Sequence, residues 1–255
     1  MDRKVPHYYW GGCSFTLGAE LQHEENRFSK LVSRNFEAKE VNESRGGASN
    51  FRILRKFIDA SNKQVYKFVF IMWTNFDRFE HWAGREDGGF DPITAFRLFP
   101  EEAENKHGTW NHFKQYNGRE KVRQALIDYQ LNIRTRAHQV AEFLQQALTV
   151  QTICRAKRIP YMMTFYQHQQ TIKVIKNVLE DLHVEDEQAY QWMLEKYNLI
   201  DWRTPYWLDN KDFAFLEYTQ QNNYDIGPDG HPLEEAHAGL SQIIINQLSH
   251  YEASK

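Results

Sequence analysis

The stretch Tyr66-Lys67-Phe68-Val69-Phe70-Ile71-Met72-Trp73 decides the fold. From Phe68 onward every side chain is apolar, and β-branched and aromatic residues dominate. A strand with one wet face alternates polar and apolar residues. An unbroken run predicts a strand covered on both faces, as in a parallel sheet. The run is also far too short to cross a bilayer, which takes about 20 residues. Upstream, Val5 to Trp10 is a shorter run of the same kind, closed by Gly11-Gly12. Pro6 has no ladder donor, so that strand starts after it. Phe28, Leu31, Val32 and Phe36 fall at helical spacing and predict a helix over Asn26 to Phe36, followed by a strand over Phe36 to Val41. A Gly46-Gly47 turn then leads into an amphipathic helix, Ser49 to Ala60, with Ser49 as its N-cap. Downstream, Ile159 to Phe165 reads as another buried strand. Strands alternating with helices imply βαβ units, so the fold class is α/β with a mostly parallel sheet.

The pattern breaks between Gly84 and Gly118, where Gly88-Gly89, Pro92, Pro100 and Gly108 punctuate polar sequence without periodicity. Arg119 to Arg158 then resembles a long helix or helix pair. Further helices are expected near Thr171 to Leu182, Glu185 to Tyr197 and Leu233 to Tyr251. No repeat, low-complexity tract or linker marks a boundary. The expectation is one α/β domain over residues 1–255, with a helical insertion at about 84–157.

Composition narrows the function classes. The 255 residues carry 31 Lys and Arg against 34 Asp and Glu, a net charge of −3 that argues against nucleic acid or an anionic membrane as partner. Two cysteines, Cys13 and Cys154, exclude a disulfide framework and a four-cysteine zinc module. The N-terminus has charges but no apolar core of a signal peptide, and no run is long enough for a membrane span. A soluble, cytoplasmic protein is expected. Aromatic residues make up 15% of the chain, and the rings at 82–116 fit a sugar-stacking surface, a satellite core or an oligomer contact. Mean hydropathy is −0.72, which long solvated helices would explain.

Four short blocks carry the candidate chemistry. Gly12-Cys13-Ser14-Phe15-Thr16 follows the first strand. A serine on such a turn has an exposed hydroxyl beside a free backbone N–H, as an acyl-transfer nucleophile requires. Taken alone it is an ordinary turn serine. Gly46-Gly47-Ala48-Ser49-Asn50 lets the backbone approach a ligand closely, or is simply a turn and a helix cap. Trp73-Thr74-Asn75-Phe76-Asp77-Arg78 ends the buried strand, where ligands gather in open parallel sheets. Asn75 can donate its amide to an oxyanion, and Arg78 can bind a carboxylate or pair with Asp77 or Glu80. Asp229-Gly230-His231-Pro232, followed by Glu234, Glu235 and His237, places imidazoles beside carboxylates. An imidazole so placed can serve as an oriented base.

In this order the blocks resemble the SGNH (GDSL-like) hydrolases, particularly small divergent members from bacteriophage genomes. The resemblance covers about residues 5–80 and 158–250 and leaves the middle unexplained. It implies a three-layer, flavodoxin-like sandwich and a serine esterase needing no cofactor and no metal. Carried over, Ser14 becomes the nucleophile. The oxyanion hole falls to the N–H groups of Ser14 and Gly47, the latter from the Asn42 to Ser49 block, and to the Asn75 amide. His231 becomes the base, oriented by Asp229, with His237 the alternative base and with Arg78, Trp73 and Asn50 as further substrate contacts. The sequence departs from the family at Trp73, where a glycine is usual, and at Phe76, where an aspartate often stands. Asp229 lies two residues before His231 instead of three, which leaves Asp225 and Glu234 as other candidates to orient the ring. The implied substrate is a small acyl ester, such as an acetyl ester, of a carbohydrate or lipid. The alternative is a catalytically silent scaffold serving as an interaction protein, with a homo-oligomer or virion partner at the aromatic insertion.

Overall fold

A computed structural model describes residues 5–84, 90–95, 128, 129, 134–208 and 213–253. Its strands are β1 (His7–Gly11), β2 (Lys39–Asn42), β3 (Phe68–Trp73), β4 (Phe79–Gly84), β5 (Phe90–Ala95) and β6 (Tyr161–Phe165). The helices are α1 (Ser14–Leu17), α2 (Phe28–Asn35), α3 (Asn50–Lys63), α4 (Arg136–Ala156), α5 (His168–Glu185), α6 (Glu187–Leu199), α7 (Phe215–Gln221) and α8 (Glu234–Ala253).

The central sheet has the order β2-β1-β3-β6 and is parallel throughout. Every residue of β3 is buried, as its unbroken apolar run requires. In register, Tyr9 lies between Val41 and Val69, and Ile71 lies beside Met163. Alternate residues then serve the two faces. Trp10 and Phe70 pack on Phe28 of α2, at ring separations of 5.8 and 5.5 Å. On the other face Tyr9 packs on Phe57 of α3 at 5.5 Å, and Trp73 meets Phe143 of α4 edge-on at 5.6 Å. Helices therefore cover both sides of the sheet. Isolated parallel bridges from Met163 to Trp207 and from Phe165 to Ala214 extend pairing beyond the outer edge of β6.

The aromatic excess is largely core: Trp10, Trp73, Trp207, Tyr9, Phe28, Phe57, Phe68, Phe70, Phe143, Phe165 and Phe215 are among the largest fully buried side chains. The rings of the insertion between 96 and 127 lie outside the described residues.

Several boundaries differ from the sequence reading. The start of β1 at His7, after Pro6, is as expected, and the carbonyl of Pro6 accepts the Lys39 N–H at 2.7 Å. β2 starts at Lys39 because Phe36 is still the C-cap of α2. The region read as aperiodic from Gly84 contains β5, which pairs antiparallel with β4 just upstream, Trp82 opposite Pro92. A hairpin strand that opens Phe79-Glu80-His81 and another broken by a proline give no clear period-two signal. α4 begins at its Thr135 cap, whose hydroxyl accepts the His138 N–H at 3.3 Å. Residues 119–127, where a longer helix was expected, lie outside the described residues. Among the described residues no helix is long and apolar enough to cross a membrane.

Candidate active site

The strand order places β2 on one side of β1 and β3 with β6 on the other, so the chain switches direction between β1 and β3. A crevice at the carboxyl ends of these strands is where open α/β sheets bind ligands. Each of the first three blocks of the sequence lies at such an end.

Ser14 is the first residue of α1, directly after the Cys13 cap, and is half-buried. As a helix-initiating residue its N–H has no intrahelical acceptor. Its hydroxyl makes no hydrogen bond among the described residues. The neighbouring Cys13 side chain is 1% exposed and packs inward, so the thiol is not presented to the crevice.

The second block is held against this turn. The Glu43 N–H donates to the Trp10 carbonyl at 3.0 Å and the Arg45 N–H to the Gly12 carbonyl at 3.4 Å. Asn42 donates to the Thr16 carbonyl and the Ser29 hydroxyl, both at 3.2 Å. Behind it, Arg27 forks onto Glu40 at 2.9 and 2.7 Å, and Ser29 donates to the same carboxylate at 2.6 Å. Burial pushes the Glu40 carboxyl up, but these donors outweigh it and the net shift is downward. Gly47 sits at φ 69°, the left-handed region that favours glycine. Its N–H makes no hydrogen bond among the described residues. Ser49 caps α3, accepting the Arg52 N–H at 3.2 Å.

In the third block, the Asn75 Oδ1 accepts the Tyr166 hydroxyl at 2.8 Å. That bond occupies the amide oxygen and leaves Nδ2 as the group turned elsewhere to donate. Tyr166 follows β6, its N–H donates to the Trp73 carbonyl at 3.0 Å, and its phenol is pushed up to about 12, mainly by burial. It therefore stays a neutral donor. Arg78 lies over the same ring at 5.9 Å. Arg134, 2% exposed, clamps the loop from behind through the carbonyls of Phe76 at 2.7 Å and Asp77 at 3.1 Å. Neither Tyr166 nor Arg134 belongs to a block, and nothing in their local sequence distinguished them.

The fourth block reaches the first through its aromatic neighbour. The His231 ring lies 5.3 Å from Phe15, and Phe15 in turn meets Tyr166 edge-on at 4.9 Å. His231 and Ser14 make no hydrogen bond to each other. The carboxylate on the ring is that of Glu20, whose Oε2 lies 2.7 Å from Nδ1, with both side chains 17% exposed. Glu20 also accepts the N–H of Asp229 at 2.9 Å and of His231 at 3.2 Å. The Asp229 N–H in first place, with the His231 contacts, holds its carboxyl below the usual range against the desolvation.

Four expected roles are corrected by this geometry. Asp229 does not orient His231: its side chain is exposed, and only its backbone N–H takes part, on Glu20. His237 is not an available base. It is 1% exposed, its Nδ1 accepts the Phe28 N–H at 3.2 Å, and burial pushes it down to about 3. Trp73 contacts no substrate, because β3 is covered on both faces and its indole is fully buried. Asn50 is taken up by the backbone of Thr74, accepting its N–H at 2.8 Å and donating to its carbonyl at 3.0 Å. It pins the residue before Asn75 and is only 3% exposed, so it is withdrawn from a ligand at the sheet end. Of the orienting alternatives, Glu234 accepts the Gln22 N–H at 2.9 Å instead, and the exposed Asp225 makes no side-chain bond among the described residues.

No protein-family model matches the chain, and no curated protein matches it in sequence. Solved structures similar to it include a G-D-S-L family protein from Desulfitobacterium hafniense, at 11% identity over 94% of this chain and 98% of that one, with a TM-score of 0.47. A psychrotrophic esterase from Pseudoalteromonas is 8% identical over 97% and 99% of the two chains, with a TM-score of 0.48. A family two carbohydrate esterase from Clostridium thermocellum is 8% identical over 99% of this chain and 67% of its own, again at 0.48.

Proposed function

We propose that the protein is a serine ester hydrolase of the SGNH type, with Ser14 as nucleophile and His231 as base. The observation that carries this reading is the convergence at one sheet end. A serine with an unengaged hydroxyl, a carboxylate-held imidazole against the adjacent ring, and three N–H donors of Ser14, Gly47 and Asn75 all belong to loops at the carboxyl ends of β1, β2 and β3 or facing them. The motif order in the sequence supports it independently.

In this mechanism His231 Nε2 takes the hydroxyl proton as Ser14 Oγ attacks the ester carbonyl. The negative charge that develops on the carbonyl oxygen is received by the N–H groups of Ser14, Gly47 and Asn75. As the tetrahedral species collapses, His231 returns the proton to the departing alkoxide, leaving an acyl-serine and an alcohol. A water molecule, deprotonated by the same nitrogen, then attacks the acyl group, and a carboxylic acid is released with the serine restored. The substrate class is a small acyl ester, such as an acetyl ester, of a carbohydrate or lipid alcohol, a reading that rests on the motif resemblance. A cytoplasmic location, a phage setting and a homo-oligomer or virion partner at the aromatic insertion are proposed on the sequence alone.

A second reading, an interaction protein that keeps the scaffold without turnover, is favoured by one observation: the missing hydrogen bond between Ser14 and His231. A fluorophosphonate probe with intact-mass readout separates the two. A single adduct on wild type, lost in Ser14→Ala, is the expected result. Absence of any adduct on folded protein sinks the hydrolase and favours the scaffold.

A further inference from the structure

We infer that Glu20, and not a carboxylate of the C-terminal loop, is the positioning acid for His231, so that the nucleophile and the acid of this site belong to one short segment of chain. The inference deepens the hydrolase reading and rests on it.

The segment runs from Ser14, through α1, to a reversal at Gly18 and Glu20. The Ala19 N–H closes α1 onto the Ser14 carbonyl at 3.0 Å, Gly18 has φ 77° and Glu20 φ 67°. A residue with a Cβ holds the left-handed region only where its surroundings fix it, and such outliers gather at functional sites. Here the surroundings are the loop of residues 227–231. One Glu20 oxygen receives the Asp229 N–H at 2.9 Å. The other receives the His231 N–H at 3.2 Å and faces its Nδ1 at 2.7 Å. An ionised carboxylate can only accept, so Nδ1 carries the proton and the neutral ring keeps its lone pair on Nε2. That is the tautomer a general base needs, and the ring lies against Phe15, the residue next to Ser14, in a tilted contact at an interplanar angle of 58°.

The loop is shaped around this carboxylate. A Cβ added at Gly227 would lie 2.7 Å from the Glu20 Cδ and Oε1 and 2.8 Å from Oε2. Gly227 also receives and donates the bonds that close the loop, to the His231 carbonyl at 2.8 Å and from the Gly230 N–H at 2.9 Å. A side chain at position 227 would therefore displace the carboxylate from His231.

The test separates positioning from loop stapling. Glu20→Gln keeps the shape and an acceptor oxygen but removes the charge, and Asp229→Asn changes a side chain that faces solvent. Two readouts apply to wild type, both variants, Gly227→Ala and Ser14→Ala: the rate of fluorophosphonate labelling, and the far-downfield proton resonance of a carboxylate-bound imidazole N–H. Glu20→Gln is expected to slow labelling by about 10²-fold or more and to remove or shift the resonance. Gly227→Ala should follow it, since it displaces the same carboxylate while leaving Glu20 in the sequence. Asp229→Asn should leave the labelling rate within about twofold, and Ser14→Ala should keep the resonance although it cannot label. Unchanged labelling and resonance in Glu20→Gln, or the full loss in Asp229→Asn, overturns the inference. A wild type that carries the resonance but never labels overturns the hydrolase reading and the catalytic sense of Glu20 together, a pattern no variant of Glu20 alone produces.

Discussion

The regions around His231 and His237 lie on the same C-terminal stretch and use the same side chain to opposite ends. His231 sits in a tight loop, 17% exposed at the side chain, with a carboxylate on Nδ1 and the ring against Phe15. His237 lies in the first turns of α8, stacked on Phe28 at an interplanar angle of 16°, edge-on to Phe215, and accepting a backbone N–H. One ring has a carboxylate partner and keeps part of its surface exposed. The other is a neutral core residue whose nitrogen completes the hydrogen bonding at the start of α2. An imidazole is a base or a building block according to what its two nitrogens meet, and residue type alone does not distinguish them.

The largest effect is expected where this contrast is broken at the functional end. His231→Asn should lower the rate of hydrolysis of an aryl acetate by about 10³-fold or more while changing stability by less than about 1 kcal/mol. The same loss of stability as His237 would show that the two rings are equivalent and undo the comparison. His237→Ala should do the reverse. It leaves a cavity and an unpaired buried N–H on Phe28, costing about 3 kcal/mol in chemical denaturation, with turnover per folded molecule preserved.

The pH dependence of stability sharpens the same point. His237 is held down to about 3 in the folded chain, against about 6.5 when unfolded. Between these values the unfolded chain takes up a proton that the folded one rejects. The contribution is therefore intact above pH about 6.5 and falls as pH drops below it, by up to about 1.4 kcal/mol per unit toward the folded value. Urea midpoints of wild type and His237→Gln, compared from pH about 7.5 to about 5, should show a steeper acid loss in wild type. Parallel curves would mean that the buried ring is not held neutral.

The smallest effect concerns the oxyanion side. Tyr166→Phe removes only the hydroxyl on Asn75 and keeps the ring against Phe15. With the amide no longer oriented, kcat should fall about tenfold at unchanged KM. Adding Asn75→Ala to that variant should cost much less than in wild type, because the two groups act as a unit. Full additivity would assign Tyr166 to packing alone.

Local sequence was enough for the sheet and for the order of the site blocks. The run Phe68 to Trp73 could only be a strand covered on both faces, and the glycine turns after β1 and β2 put Ser14 and Gly47 at strand ends, because these features depend on neighbours in the chain. The hairpin of β4 and β5 escaped because its pairing is non-local and its pattern is broken by Pro92. The partners of the site escaped for the same reason. Glu20 meets His231 across 211 positions of sequence, and Tyr166 meets Asn75 across 91. Spacing near the histidine pointed to Asp229, and nothing local marked His237 as buried or Trp73 and Asn50 as occupied. Sequence by itself determined which residues could form strands, turns and a nucleophile. Only the tertiary structure decided which carboxylate reaches His231, because that contact depends on the close approach of two distant loops at Gly227, where a side chain would meet the carboxylate.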